Sequence, residues 1–125
     1  MTDRRFASHF VTAPDGLRLH VRSYGSRVAS TLPVVCLPAL ARTAADFDPL
    51  AAAMAAAKPR FVLVLDYRGH GQSEYDRHPD NYTLPVALAD LSAVLTALET
   101  APALFVGTSY GGLLAMMLAA WRPAA

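Results

Sequence analysis

The sequence is poor in cysteine and in charge, and each scarcity excludes something. One cysteine in 125 residues, Cys36, cannot close an internal disulfide. Its neighbours Val34, Val35 and Leu37 make it a small buried thiol, and a reducing cytoplasm is the expected compartment. Only 17% of residues are charged, and the 11 basic and 10 acidic side chains are spread along the chain without a basic block. That distribution leaves no electrostatic footprint for nucleic acid. A hydrophobic fraction of 54% excludes a disordered tail. The opening stretch, Met1 to Phe10, carries Arg4 and Arg5 but continues into Ala7, Ser8 and His9 where a leader has an apolar run, so no secretory signal is expected. Thr100 to Trp121 lacks charge and is long enough to cross a bilayer. Pro102 and the polar break at Gly107, Thr108, Ser109, Gly111 and Gly112 divide it into strand, turn and helix, so no membrane partner is expected.

What is present alternates between strand and helix signals. Phe6–Thr12 and the segment after the turn Pro14-Asp15-Gly16 read as an antiparallel hairpin. Period-two alternation sets Leu17, Leu19 and Val21 on one face and Arg18, His20 and Arg22 on a polar one. Pro33–Leu37 and Phe61–Leu65 are short apolar runs suited to strands buried on both faces. Between them, Asp48-Pro49 offers a helix cap with proline in the first turn, and Leu50–Ala57 are strong helix formers. Tyr67–Asn81 is a long polar loop. Thr83 caps a helix over Leu84–Glu99 with Leu84, Leu88, Leu91, Leu95 and Leu98 on one stripe. A strand at Ala103–Val106 and a helix at Tyr110–Trp121 close the chain. The order predicts an α/β fold: a mostly parallel sheet with an antiparallel hairpin in front and helices on both faces.

Chemistry concentrates at the last strand-to-helix turn. Gly107-Thr108-Ser109-Tyr110-Gly111 is a G-x-S-x-G sequence between Leu104-Phe105-Val106 and a helix-forming run, which is the context a nucleophile elbow requires. Gly107 and Gly111 leave room for a sharp turn that lifts the serine hydroxyl off the sheet. The Tyr110 amide, at the helix start, would face a developing oxyanion. Three motifs in order, Cys36-Leu37-Pro38-Ala39-Leu40, Asp66-Tyr67-Arg68-Gly69-His70-Gly71-Gln72-Ser73 and the elbow, resemble the α/β-hydrolase fold superfamily over nearly the whole chain. The middle motif is similar to the family's D-x-R-G-x-G-x-S loop, in which Asp66, Arg68 and Ser73 would tie the turn by hydrogen bonds.

The resemblance implies Ser109 as nucleophile and the amides of Leu40 and Tyr110 as oxyanion hole, with Pro38-Ala39 standing where the family often has His-Gly. It implies no cofactor and no metal, and a small-molecule ester or related acyl substrate. Serine at the elbow argues against the family's dehalogenases and epoxide hydrolases, which place aspartate there. The family order is serine, then acid, then histidine. No Asp, Glu or His follows Ser109, so the 125 residues read as the N-terminal half of one such domain, inactive alone. His9, His20 and His78 are expected in solvent, and His70 is expected to tie its own loop or stand exposed. The alternative is a noncatalytic fragment that self-associates through the strand edge that a sixth strand covers in the family.

Overall fold

A computed structural model of the chain describes residues 6–125, so Arg4 and Arg5 of the stretch read as leaderless lie outside the described residues. Five strands, β1 (Ala7–Thr12), β2 (Arg18–Tyr24), β3 (Val34–Leu37), β4 (Val62–Leu65) and β5 (Leu104–Gly107), form one mixed sheet in the order β1-β2-β4-β3-β5. β3 pairs in parallel with β4 and β5, while β2 is antiparallel to both β1 and β4. Helix α1 (Asp48–Ala57) covers one face, and α2 (Leu84–Ala97) and α3 (Tyr110–Trp121) cover the other.

Strand periodicity divides the core in two. Odd-numbered Leu19, Val21, Val35, Leu37, Leu63 and Leu65 pack with Leu88, Leu91 and Leu95 of α2 and Leu114 and Leu118 of α3. Even-numbered Tyr24, Val34, Cys36, Val62 and Val64 pack against Ala51 of α1 and Phe47. Burial pushes the Cys36 thiol up to about 12, so it is an inert core group. Thr83 caps α2 as its sequence predicts, its hydroxyl accepting from the Val86 amide at 3.4 Å. The start of α1 differs from expectation. A 3-10 turn, Ala44–Phe47, runs directly into it, Phe47 takes the cap position, and Asp48 is the first helical residue, accepting from the Tyr24 hydroxyl at 2.8 Å.

Two further expectations are corrected. β2 lies between two strands and is buried on both faces, so His20 is fully buried and not on a solvated face. His9 is likewise engaged, its Nε2 2.7 Å from Ser23 Oγ. The uncovered edge does exist at β5, but the strand is only four residues long, with Leu104 48% exposed. The uncharged stretch Thr100–Trp121 is β5, a turn and the 12-residue α3, and among the described residues no helix is long and apolar enough to cross a membrane.

Candidate active site

The carboxyl ends of β3, β4 and β5 carry the three motifs. β5 ends at Gly107 and α3 begins at Tyr110, leaving Thr108 and Ser109 to reverse the chain. Ser109 caps α3 with φ 54° and ψ −107°, a sparsely populated conformation for a residue with a side chain. The turn closes on the end of β3, where the Thr108 amide donates to the Leu37 carbonyl at 3.1 Å. Gly111 lies against that same carbonyl, and a methyl group at Gly111 would overlap its oxygen. One at Gly107 would overlap the backbone of Gly111 and Gly112. Ser109 is exposed, and among the described residues its hydroxyl has no hydrogen-bond partner. The Tyr110 amide, first of the helix, points from the same corner with no acceptor among those residues.

The side chains around the serine line two separate hollows. Leu40 and Tyr110 share a cavity of about 60 Å³ with Leu19, Leu65, Tyr67 and His70. Thr108 faces the other, an open cleft with Pro38, Ala39 and Arg42. The Tyr67 ring stands edge-on to Tyr110 at 5.4 Å, and its hydroxyl donates to the Pro38 carbonyl at 2.6 Å. In the loop after β3 the left-handed residue is Ala41, at φ 65°, while Ala39, which stands in the family's glycine position, keeps an ordinary backbone.

The loop after β4 is held by two buried hubs. Asp66 accepts from the Ala44 amide at 2.7 Å, the Gln72 amide at 3.2 Å and the His20 ring at 2.7 Å. Burial pushes its carboxyl up, but the His20 bond and the two amides outweigh that and hold it below its ordinary value. Ser73 donates to the Asp66 carbonyl at 2.6 Å and accepts from the His20 amide at 2.8 Å, which stitches the loop to β2. Gly71, at φ 54°, leaves the space that the Asp66 carboxylate occupies.

Arg68 is the second hub. Its fork binds Asp90 through Nε and Nη2 at 3.0 and 2.9 Å, Asp15 through Nη1 and Nη2 at 2.6 and 3.0 Å, and Asp76 through Nη1 at 2.6 Å. Hydrogen bonds to Asp15 and Asp90 raise its pKa further, keeping the guanidinium charged. Asp90 escaped the sequence reading, although an acid between Leu88 and Leu91 on the apolar stripe of a helix is a signal for a buried cationic partner. His70 ties its own loop, its Nδ1 2.8 Å from the Arg68 carbonyl.

A mixed sheet carrying a strained serine at its strand-to-helix turn, over a loop of this D-x-R-G-x-G-x-S form, defines an α/β domain of the hydrolase fold. The chain belongs to the alpha/beta hydrolase family, whose profile matches residues 34–125. It is 38% identical over 95 residues to the sn-1-specific diacylglycerol lipase ABHD11 of Mus musculus, covering 75% of this chain and 30% of the lipase. Epoxide hydrolase 4 of Mus musculus is 32% identical over 62 residues, 50% of this chain and 17% of that protein. Among solved structures, an alpha/beta hydrolase from Novosphingobium aromaticivorans superposes with a TM-score of 0.88 and 39% identity, covering 98% of this chain and 42% of that one. The chain therefore spans less than half the length of each of these relatives.

Proposed function

We propose that the chain carries the nucleophile half of a serine hydrolase acting on ester or related acyl bonds. Ser109 is the nucleophile, and the amides of Leu40 and Tyr110 receive the oxyanion. The observation that carries this reading is the backbone of Ser109: an exposed hydroxyl held at φ 54° on the cap of a helix, at the carboxyl edge of parallel strands. Such strain persists where the surrounding structure enforces it, and here Gly107, Gly111 and the Leu37 carbonyl enforce it. The residues before and after Ser109 each line a hollow, Tyr110 one and Thr108 the other, which is consistent with a substrate seated across the elbow. A lipase and an epoxide hydrolase are both among the relatives, and serine at the elbow favours acyl transfer.

Ser109 still needs a base, and the family order places acid and histidine after the elbow helix. Residues 1–125 are accordingly read as part of one hydrolase domain, and the chain by itself is expected to show only residual turnover. The test is hydrolysis of an activated aryl ester by the chain and by Ser109→Ala, with adducts mapped by mass spectrometry. A slow acylation at Ser109, abolished by the substitution, is the expected result. Acyl transfer that never reaches Ser109 would overturn the assignment.

A second reading rests on the β5 edge, which among the described residues pairs on one side only and exposes Leu104. In it the chain self-associates edge to edge, with no catalytic role.

A further inference from the structure

A second serine in the molecule stands in a hydrogen-bonded relay of its own. Ser8 is exposed on β1, and its Oγ lies 2.9 Å from His20 Nε2. The other ring nitrogen of His20, Nδ1, lies 2.7 Å from Asp66 Oδ2. His20 is fully buried and Asp66 nearly so, whereas Ser8, which meets the free ring nitrogen, is exposed. Asp66 is pinned from its other side by the Ala44 and Gln72 amides. With that carboxylate ionised, the proton between the pair sits on Nδ1, which leaves Nε2 as an acceptor aimed at Ser8.

A third group completes the cluster. Arg22 is the cross-strand partner of Ser8, so the two side chains emerge from the same face as neighbours. Arg22 is 14% exposed, with Nη1 3.6 Å from Asp48, and among the described residues its buried Nε has no hydrogen-bond acceptor. An unpartnered buried donor costs free energy unless a ligand or water meets it. Its guanidinium also stacks over the Phe6 ring at 4.0 Å and donates to the Tyr24 hydroxyl at 3.4 Å, and as the cross-strand neighbour of Ser8 it sets a positive charge on the same face.

We infer that Ser8 is an acyl-acceptor serine, activated by His20 and Asp66 and modified by activated acyl donors such as aryl esters or thioesters, independently of the elbow. In the reaction Ser8 Oγ bonds to the donor's carbonyl carbon while its proton passes to His20 Nε2, and the carbonyl electron pair collects on the carbonyl oxygen. Collapse re-forms the C=O bond and expels phenolate or thiolate, which takes the proton from Nε2. The products are an O-acyl serine and a phenol or thiol.

The test treats the 125-residue chain, in a Ser109→Ala background, with p-nitrophenyl acetate or a fluorophosphonate and maps the adducts by peptide mass spectrometry. Ser26 and Ser30, exposed serines outside any strand or helix, are internal controls. Ser8 is expected to react at least about tenfold faster than either, and Ser8→Ala to remove that adduct. His20→Gln, which keeps hydrogen-bonding capacity and removes the base, is expected to slow labelling about 100-fold. Equal labelling of Ser8, Ser26 and Ser30 overturns the inference even if His20→Gln does not fold. Undiminished Ser8 labelling in a folded His20→Gln protein overturns it too. Because Ser109 is absent from this background, failure here leaves the elbow reading untouched.

Discussion

The backbone of Ser109 links conformational cost to chemistry. A non-glycine residue held in a sparsely populated region costs about 1–3 kcal/mol, and glycine relieves most of that. Ser109→Gly is therefore expected to stabilise the chain by roughly 1 kcal/mol, read as a higher midpoint in urea at an unchanged slope, while abolishing any acylation at the elbow. A loss of stability on this substitution would mean that the serine side chain anchors the turn. The same scale shows what sequence could convey. Gly107, Ser109 and Gly111 were legible because a sharp strand-to-helix turn tolerates few residue types at those positions. The strain at Ala41 was not, because nothing in Leu40-Ala41-Arg42 marks a left-handed residue. His20 was misplaced for a different reason. Alternation reports the two faces of a strand and cannot report that Asp66 and Ser8 approach the polar one.

Among the elements, Arg68 ties together the hairpin turn, the loop after β4 and α2, through Asp15, Asp76 and Asp90. Their titrations oppose one another. The His78 amide, Asn81 and Arg68 hold Asp76 at about 2, and Arg68 foremost, assisted by the Leu17 amide, lowers Asp15. Burial, by contrast, raises Asp90 beyond what Arg68 pulls it down. A lowered carboxyl stabilises the fold above its ordinary value of 3.8, and that contribution disappears as pH falls toward about 2. The raised Asp90 has the opposite sign: it disfavours the fold at neutral pH, and protonation relieves it. With Asp15, Asp66 and Asp76 lowered and Asp90 raised, the expected net result is a steep drop in Tm between about pH 4 and pH 2. Asp76→Asn should lower Tm near pH 7 and flatten the curve across that window. Thermal melts across the range check this, and parallel curves for the two proteins would contradict the assignment. Helix and strand identities were readable in advance because Thr83, Leu84–Leu98 and the paired valines agree with their own periodicities. The 3-10 entry to α1 was not, because Asp48-Pro49 is equally compatible with a cap or a first turn.

For the molecule as a whole, sheet order decides what is exposed. Among the described residues β5 pairs with β3 alone, and Leu104 stands at that edge. Strand pairing there gives a dimer or larger species whose mass depends on protein concentration. Light scattering on the chain and on Leu104→Lys is expected to show association that the charge weakens, and a concentration-independent monomer would remove the self-association reading. The α/β class was legible because strand and helix runs alternate. The antiparallel seam between β2 and β4 was not, because which strand neighbours which depends on contacts dozens of residues apart. That order also has a chemical corollary. β1 and β5 are opposite edges, four strand spacings or roughly 19 Å apart. Ser8 and Ser109 thus sit on opposite rims of a rigid spacer. No small acyl donor can bridge them, so a group carried by one serine is never handed to the other within a single chain.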